Sequence, residues 1–259
     1  MIASMKIVWS FDLASTYTPF LNQLDSFLGT ENADFNIQCI EDDFGFYYRF
    51  TTVHFENIIE PDKVYADGMQ LIQLLNGILF LTYEDNTQII GLNNLYKDGD
   101  KGTIYNKSPV SGTFNITSYK DSAIKKTGYP VADLLQIAKQ NQDVLDLLYI
   151  LGEEMTYHKL YMVYETLKSI AGDTDVFEAA IGTELKKQIK ALTFVANNFE
   201  TIGTQARHRN YKYDTPENPM SLDEAKSLIK TVGYLIIEKY FGMSLSFIKK
   251  PNWEGSDLF

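Results

Sequence analysis

Three long amphipathic stretches follow one another in the second half of this chain, and they limit what it can fold into. Asp143–Ala171 carries an apolar series that ends in Leu160, Val163 with Tyr164, Leu167 and Ile170, with Gly172 as its stop. Thr183–Thr201 places Leu185, Ile189, Leu192, Ala196 and Phe199 on one face. Ser221–Phe241 is the best defined. Ser221 with Glu224 three residues later forms a capping box, Asp223 adds a favourable charge to the first turn, and Gly242 ends the pattern. Its buried stripe reads Leu222, Ala225, Leu228 with Ile229, Val232, and Leu235 with Ile236. Each stripe has to be covered, and three in succession cover one another, so the spacing predicts a helical bundle. A shorter helix over Asp133–Lys139 precedes them.

The first half mixes strands with one helix. Lys6–Phe11 reads as a short strand. Phe35-Asn36-Ile37-Gln38-Cys39-Ile40 alternates apolar and polar, the period of a half-buried strand, and Gly45–His54 is rich in Phe, Tyr and Thr. Glu41-Asp42-Asp43 is the expected hairpin turn between them. Pro61-Asp62 opens a helix carrying Val64, Gly68 with Met69, Ile72, Leu75 and Leu79 at helical spacing. Leu79–Tyr83 and Gln88–Gly91 read as strands around a Glu84–Asn86 turn, and Lys97-Asp98-Gly99-Asp100 as a further turn. Strands are expected near Thr103–Tyr105 and Gly112–Thr117. The fold class that follows is α+β. A sheet-and-helix domain over residues 1–126 is followed by a helical bundle over residues 127–259.

Composition narrows the function classes. With 259 residues, 45% apolar, the chain can bury a substantial core. No run of eighteen apolar residues occurs, and the start lacks a basic segment followed by an apolar core, so neither a membrane span nor a signal peptide is expected. A lone cysteine, Cys39, excludes an internal disulfide, and cytoplasmic residence is the expectation. The net charge of −11 is unevenly placed. Residues 1–154 hold 10 Lys and Arg against 21 Asp and Glu, whereas residues 155–259 hold 13 of each. Because nucleic-acid affinity rests on neutralising phosphates, any such contact has to use the C-terminal part.

The polar features worth weighing as a site collect after the second bundle helix. Arg207, His208, Arg209 and Lys212 gather at a helix end, interleaved with Tyr211 and Tyr213. Guanidinium and imidazolium groups there suit a phosphate or carboxylate, and the tyrosines offer stacking faces. The alternative is that these cations satisfy the last carbonyls of the helix, with Arg207 paired to a carboxylate inside the bundle, Glu153 or Glu154 being the candidates. Glu154 and His158 lie four apart on one helix face, too few ligands for a metal. Cys39 and His54 lack a third orienting group for nucleophilic catalysis, and Cys39 reads as a small core residue. The Asp98–Gly102 stretch lacks calcium-loop spacing. Tyr47, Tyr48, Tyr65 and Tyr83 read as core. No phosphate-binding loop, dinucleotide fingerprint or zinc motif is present, so no cofactor and no metal are expected.

The run Phe194-Val195-Ala196-Asn197-Asn198, Gly203, Ala206-Arg207-His208 and Asn218-Pro219-Met220-Ser221-Leu222-Asp223-Glu224-Ala225 resembles a family of uncharacterised bacterial proteins whose chains end in an "ARH…PMSLxEA" pattern. Lys159-Leu160-Tyr161-Met162-Val163-Tyr164-Glu165 is similar to a helix of that family, and Leu74-Leu75-Asn76-Gly77 to one of its helix ends. More distantly, the C-terminal part resembles HEPN domains, helical bundles of ribonucleases and of toxin or defence systems. Their catalytic motif is an Arg and, a few residues on, a His. Arg207 takes the Arg position and His208 the polar position after it, while Lys212 and Tyr213 stand where the downstream His would be. His moves protons at an unperturbed pKa of roughly 6.5, whereas Tyr sits near 10. The resemblance therefore implies a non-catalytic interaction or accessory module in bacterial stress or phage defence, with Arg207, His208, Arg209, Lys212 and Tyr213 as anion or RNA contacts. It also implies a protein partner or a homodimer, since HEPN bundles pair. An RNA-binding protein or metal-independent ribonuclease is the alternative.

Overall fold

A computed structural model describes residues 8–15, 21, 24, 35–43, 45–83, 90–97, 129–207 and 216–243. Four strands, β1 (Trp9–Ser15), β2 (Asn36–Asp42), β3 (Gly45–Thr51) and β4 (Ile90–Lys97), form one antiparallel sheet in the order β2-β3-β1-β4. The β2–β3 hairpin forms as expected, but Glu41 and Asp42, expected in its turn, belong to β2 and pair with Phe46 and Gly45, so the chain reverses only after Asp42. Phe11 of β1 sits opposite Phe50 of β3, and both rings are fully buried with Phe55 packed edge-on to each. Leu21 and Leu24, between β1 and β2, are helical and buried. Strand, helical residues, hairpin, helix and strand in this sheet order make a split β-α-β arrangement.

The helix between β3 and β4 is α1 (Pro61–Thr82). Pro61 occupies its first turn and Asp62 stabilises that positive end. It runs four residues past the point where a strand over Leu79–Tyr83 was expected. An apolar run of that length fits a strand or a helix buried on all sides, and here Ile78, Leu79 and Leu81 are buried by partners around the helix. One face of α1 meets the sheet, where a side-chain carbon at Gly68 would lie 2.8 Å from the Phe11 ring and 2.9 Å from Leu92. Nine residues on, half a turn around the axis, Gly77 meets the bundle. Asn76 beside it pairs with the start of β4, donating to the Ile90 carbonyl and accepting from the Ile90 amide, both at 2.9 Å. Gly77 is therefore a contact point within the helix and not its end.

The bundle contains α2 (Pro130–Gln140), α3 (Gln142–Leu151), α4 (Tyr157–Ala171), α5 (Thr174–Ala196), the single turn α6 (Phe199–Ile202) and α7 (Leu222–Phe241). The single apolar series expected over Asp143–Ala171 is broken into α3 and α4. At the break, the Gly152 backbone presses on the Gln73 carbonyl of α1, and Thr156 caps the next helix by accepting from the Lys159 amide at 3.3 Å. α5 starts earlier than expected, at Thr174. Gly182, with φ +80° and ψ 173°, interrupts it at the predicted start. The Ser221–Glu224 capping box is formed in both directions, and Gly242 closes α7 in the left-handed conformation. α4, α5 and α7 pack on one another, with Leu192 and Val232 fully buried. The fold is α+β, a four-stranded antiparallel sheet with helices. The position 126/127 at which two domains were expected to meet lies outside the described residues, as do Thr103–Tyr105, Gly112–Thr117 and Asp98–Gly102.

Sheet, α1 and bundle share one hydrophobic cluster that runs from Trp9 to Met243. At the crossing of α1 and α3, a Cβ on Gly77 would collide with the Leu148 carbonyl and one on Gly152 with the Gln73 carbonyl, so the two backbones touch. Gln73 adds a 2.9 Å hydrogen bond from its amide nitrogen to the Tyr149 carbonyl. From α7, the buried Lys230 ammonium donates to the Tyr83 carbonyl at the end of α1. By length and composition α1 could cross a membrane, yet 72% of its most apolar window is buried inside the protein.

Two measurements follow. Gly77→Ala and Gly152→Ala each drive a methyl into a carbonyl that belongs to another helix, and each should lower stability by roughly 1–3 kcal/mol in urea unfolding. Gly91→Ala on β4, where a methyl meets nothing within 4 Å, is the control. Losses no larger than the control's would contradict the close crossing. Tyr149 supplies the pH test. Burial, then the charges of Asp146 and Asp67, push its phenol up to about 12 from its ordinary value of 10.0. Its hydroxyl has no hydrogen-bond partner among the described residues. Above pH 10 the unfolded chain gives up this proton first, so the stability the group contributes is intact below 10 and is lost as pH rises toward 12. Tyr149→Phe should be no less stable at pH about 8 and should lose stability less steeply up to pH about 11. Equal slopes for the two proteins would rule out Tyr149 as a source of the alkaline loss.

Candidate functional site

The C-terminal end of α5 is built to hold Arg207. The Asn198 side chain is fully buried and caps α6, accepting from the Thr201 amide at 3.1 Å. Gly203, at φ +57° and ψ −130°, turns the chain into a short 3-10 segment, Gly203–Gln205. The Arg207 amide then donates to the Ala196 carbonyl at 2.8 Å. The loop thus closes on the residue where α5 ends, which fixes the Arg207 backbone against the helix end.

The exposed Arg207 side chain reaches α4, where its guanidinium carbon lies 4.2 Å from the centre of the Tyr161 ring. Tyr161 begins a row on α4. Its ring packs edge-to-face with Tyr164 at 5.7 Å, and Tyr164 does the same with Phe177 of α5 at 5.6 Å. Lys168 lies 4.8 Å over Tyr164 and pairs with Glu165 at 3.0 Å. One turn before Tyr161, the Tyr157 hydroxyl donates to the Met220 carbonyl at 2.8 Å. Successive turns of α4 therefore seat both described ends of the segment between Arg207 and α7.

Among the described residues no carboxylate lies within ion-pair distance of Arg207. Its neighbours hold their protons at neutral pH. Burial raises the Tyr161 phenol, a hydrogen bond to Glu165 raises it further, and Arg207 and Lys168 oppose both. Burial also raises Tyr164, against Lys168. For Lys168, burial favours the neutral amine, but the Glu165 hydrogen bond and the nearby tyrosines outweigh it and the ammonium is held more firmly than usual. None of the three is a base near neutral pH. Farther along α4 the field changes sign. Burial, then Glu224 and Asp223, raise Tyr157, and these two carboxylates edge a groove of 780 Å³ between α5 and α7 floored by Leu185, Met220 and Leu228.

Of the five residues expected at the site, Arg207 is described, and His208, Arg209, Lys212 and Tyr213 lie outside the described residues. Glu153 does not approach Arg207. It pairs with Lys159 and accepts from Gln73. Glu154 and His158 are exposed, and among the described residues no cluster of His, Cys, Asp and Glu could hold a metal. Cys39 is exposed, contrary to its reading as a core residue. It faces the buried Tyr48 near the hairpin tip, where Phe46 is also exposed. His54 stands beyond β3 in the short 3-10 helix Val53–Phe55. Tyr48 and Tyr83 are buried, whereas Tyr47 and Tyr65 are half-buried.

The Tyr161–Tyr164–Glu165–Lys168 row is a site feature that sequence reading missed. Its signal was the i, i+3, i+4, i+7 spacing, beside the apolar stripe of Leu160, Val163 and Leu167. A second arginine shows the contrast. On the sheet, Arg49 lies between the rings of Tyr47 at 5.2 Å and Tyr96 at 4.3 Å and is paired with Asp12 at 3.2 Å. Asp12 also accepts from the Tyr96 hydroxyl at 2.6 Å. The charge of Arg49 is compensated within the fold, while that of Arg207 faces outward. Comparison with known proteins finds no matching family model, no curated relative and no solved structure of similar fold.

Proposed function

We propose that the protein is a non-catalytic interaction module that contacts an anion through Arg207 at the end of a HEPN-like bundle. The observation that carries this reading is the state of Arg207. Its backbone is fixed to Ala196, its guanidinium rests on Tyr161, and among the described residues its charge is unpaired. A cation held in place with its N–H edge open is suited to binding an oxyanion. The non-catalytic half of the reading is supported by the proton-holding neighbours and by the absence from the sequence of a His a few residues after His208. The setting this implies is cytoplasmic, in bacterial stress or phage defence, with a protein partner or a second copy of the chain.

The competing reading is a metal-independent ribonuclease, and one assay separates the two. Purified protein incubated with structured and single-stranded RNA in chelator should leave the RNA intact, with at most salt-sensitive binding. Arg207→Ala should weaken whatever binding is seen without changing the folded state. Cleavage by the wild type that Arg207→Ala or His208→Ala abolishes would replace the interaction module with a nuclease.

A further inference from the structure

What the ledge around Arg207 leaves open decides which anion it takes. Arg207 is exposed and Tyr161 half-buried, so the guanidinium covers the outer face of that ring. Tyr164 has Lys168 over its ring and makes edge contacts with Tyr161 and Phe177. These contacts occupy the two α4 tyrosines with cations and with one another, so among the described residues the ledge offers no free stacking platform of the kind that single-stranded nucleic acid needs. Among the described residues the Arg207 guanidinium has no ion-pair partner, and its fork of N–H groups matches a two-oxygen acceptor.

Charge points the same way. Lys168, the second cation of the ledge, is already paired with Glu165. Asp223 and Glu224 edge the groove next to Tyr157, one turn away along α4. From Ala196 to Lys226 the sequence holds four Lys and Arg against five Asp and Glu, so the segment around Arg207 is not basic. Among the described residues of this segment, a polyphosphate backbone would meet one unpaired arginine and several carboxylates, Asp223 and Glu224 among them. A single carboxylate would meet a matched partner and little repulsion.

We infer that the Arg207 ledge binds one carboxylate, presented by a protein partner as an acidic side chain or as a chain terminus. This rests on the reading of Arg207 as a contact site. The test follows the Arg207 Nε–H resonance of the full chain by NMR, assigned through its loss in Arg207→Lys. Four probes are titrated: a capped Gly-Ser-Glu-Ser-Gly peptide, a Gly-Ser-Gln-Ser-Gly peptide with a free C-terminus, the same Gln peptide capped at both ends, and an oligouridine of about ten nucleotides. One or both carboxylate peptides should shift the resonance saturably, at concentrations on the order of millimolar. The two carboxylate arms tell side chain from terminus. The capped Gln peptide should leave the resonance unmoved, and the oligouridine should act at least about tenfold more weakly. Tighter binding by the oligouridine would overturn the carboxylate assignment and leave Arg207 as a contact site. A resonance that no probe moves would overturn both.

Discussion

The contact on which the rest of the structure depends is the crossing of α1 and α3, where Gly77 lies against the Leu148 carbonyl and Gly152 against that of Gln73. Two helices can touch backbone to backbone only where neither carries a side chain, and these glycines meet that condition from opposite sides. The contact fixes how far along α1 the bundle sits. It also fixes where α3 must stop, because Gly152 is the last point before the chain turns to Thr156 and α4. With Gly68 against Phe11 and Leu92 on the other face, α1 becomes the middle layer between sheet and bundle. The Lys230 ammonium on the Tyr83 carbonyl ties α7 to the end of the same helix.

The placement of the candidate site follows from that frame. α4 starts at a position set by the crossing and carries Tyr157 and Tyr161 one turn apart. These receive Met220, just before α7, and Arg207, just after α5. The loop that delivers Arg207 is closed by its own amide on Ala196 and capped from within by the buried Asn198. The Arg207 backbone is thereby fixed, and its exposed side chain rests on Tyr161. Arg49 on the sheet shows the other use of the same chemistry. Sandwiched by two tyrosines and paired with Asp12, it joins β3 to β1 and β4.

Features whose determinants are local were legible in the sequence. The Ser221–Glu224 box, the stripe of α7 and its Gly242 stop read correctly because each rests on residues within one or two turns. So did the pairing of β2 with β3, although Glu41 and Asp42 extend β2 into the expected turn. What the sequence hid depends on distant partners. Leu79–Thr82 stays helical because sheet and bundle surround it on all sides, and a fully buried run has no period to read. Gly77 looked like a helix stop, although its role is to admit Leu148 from seventy residues away. The interruption at Gly152 has the same cause. Cys39 alternates like a core residue, but it lies near the hairpin tip, where Phe46 is exposed as well. Of the site, Arg207 was legible as a cation at a helix end. Its seat on Tyr161 was not, because Tyr164 and its neighbours fit an apolar stripe equally well.

Sheet, α1 and bundle, keyed at the Gly77–Gly152 crossing, should open as one cooperative body. Native-state hydrogen exchange in increasing, sub-denaturing urea tests it most directly. The slowest amides of β1, α1, α4 and α7 should converge on one opening free energy and one urea dependence. An opening that exposes the amides of α4, α5 and α7 while those of α1 and the sheet stay protected would contradict it.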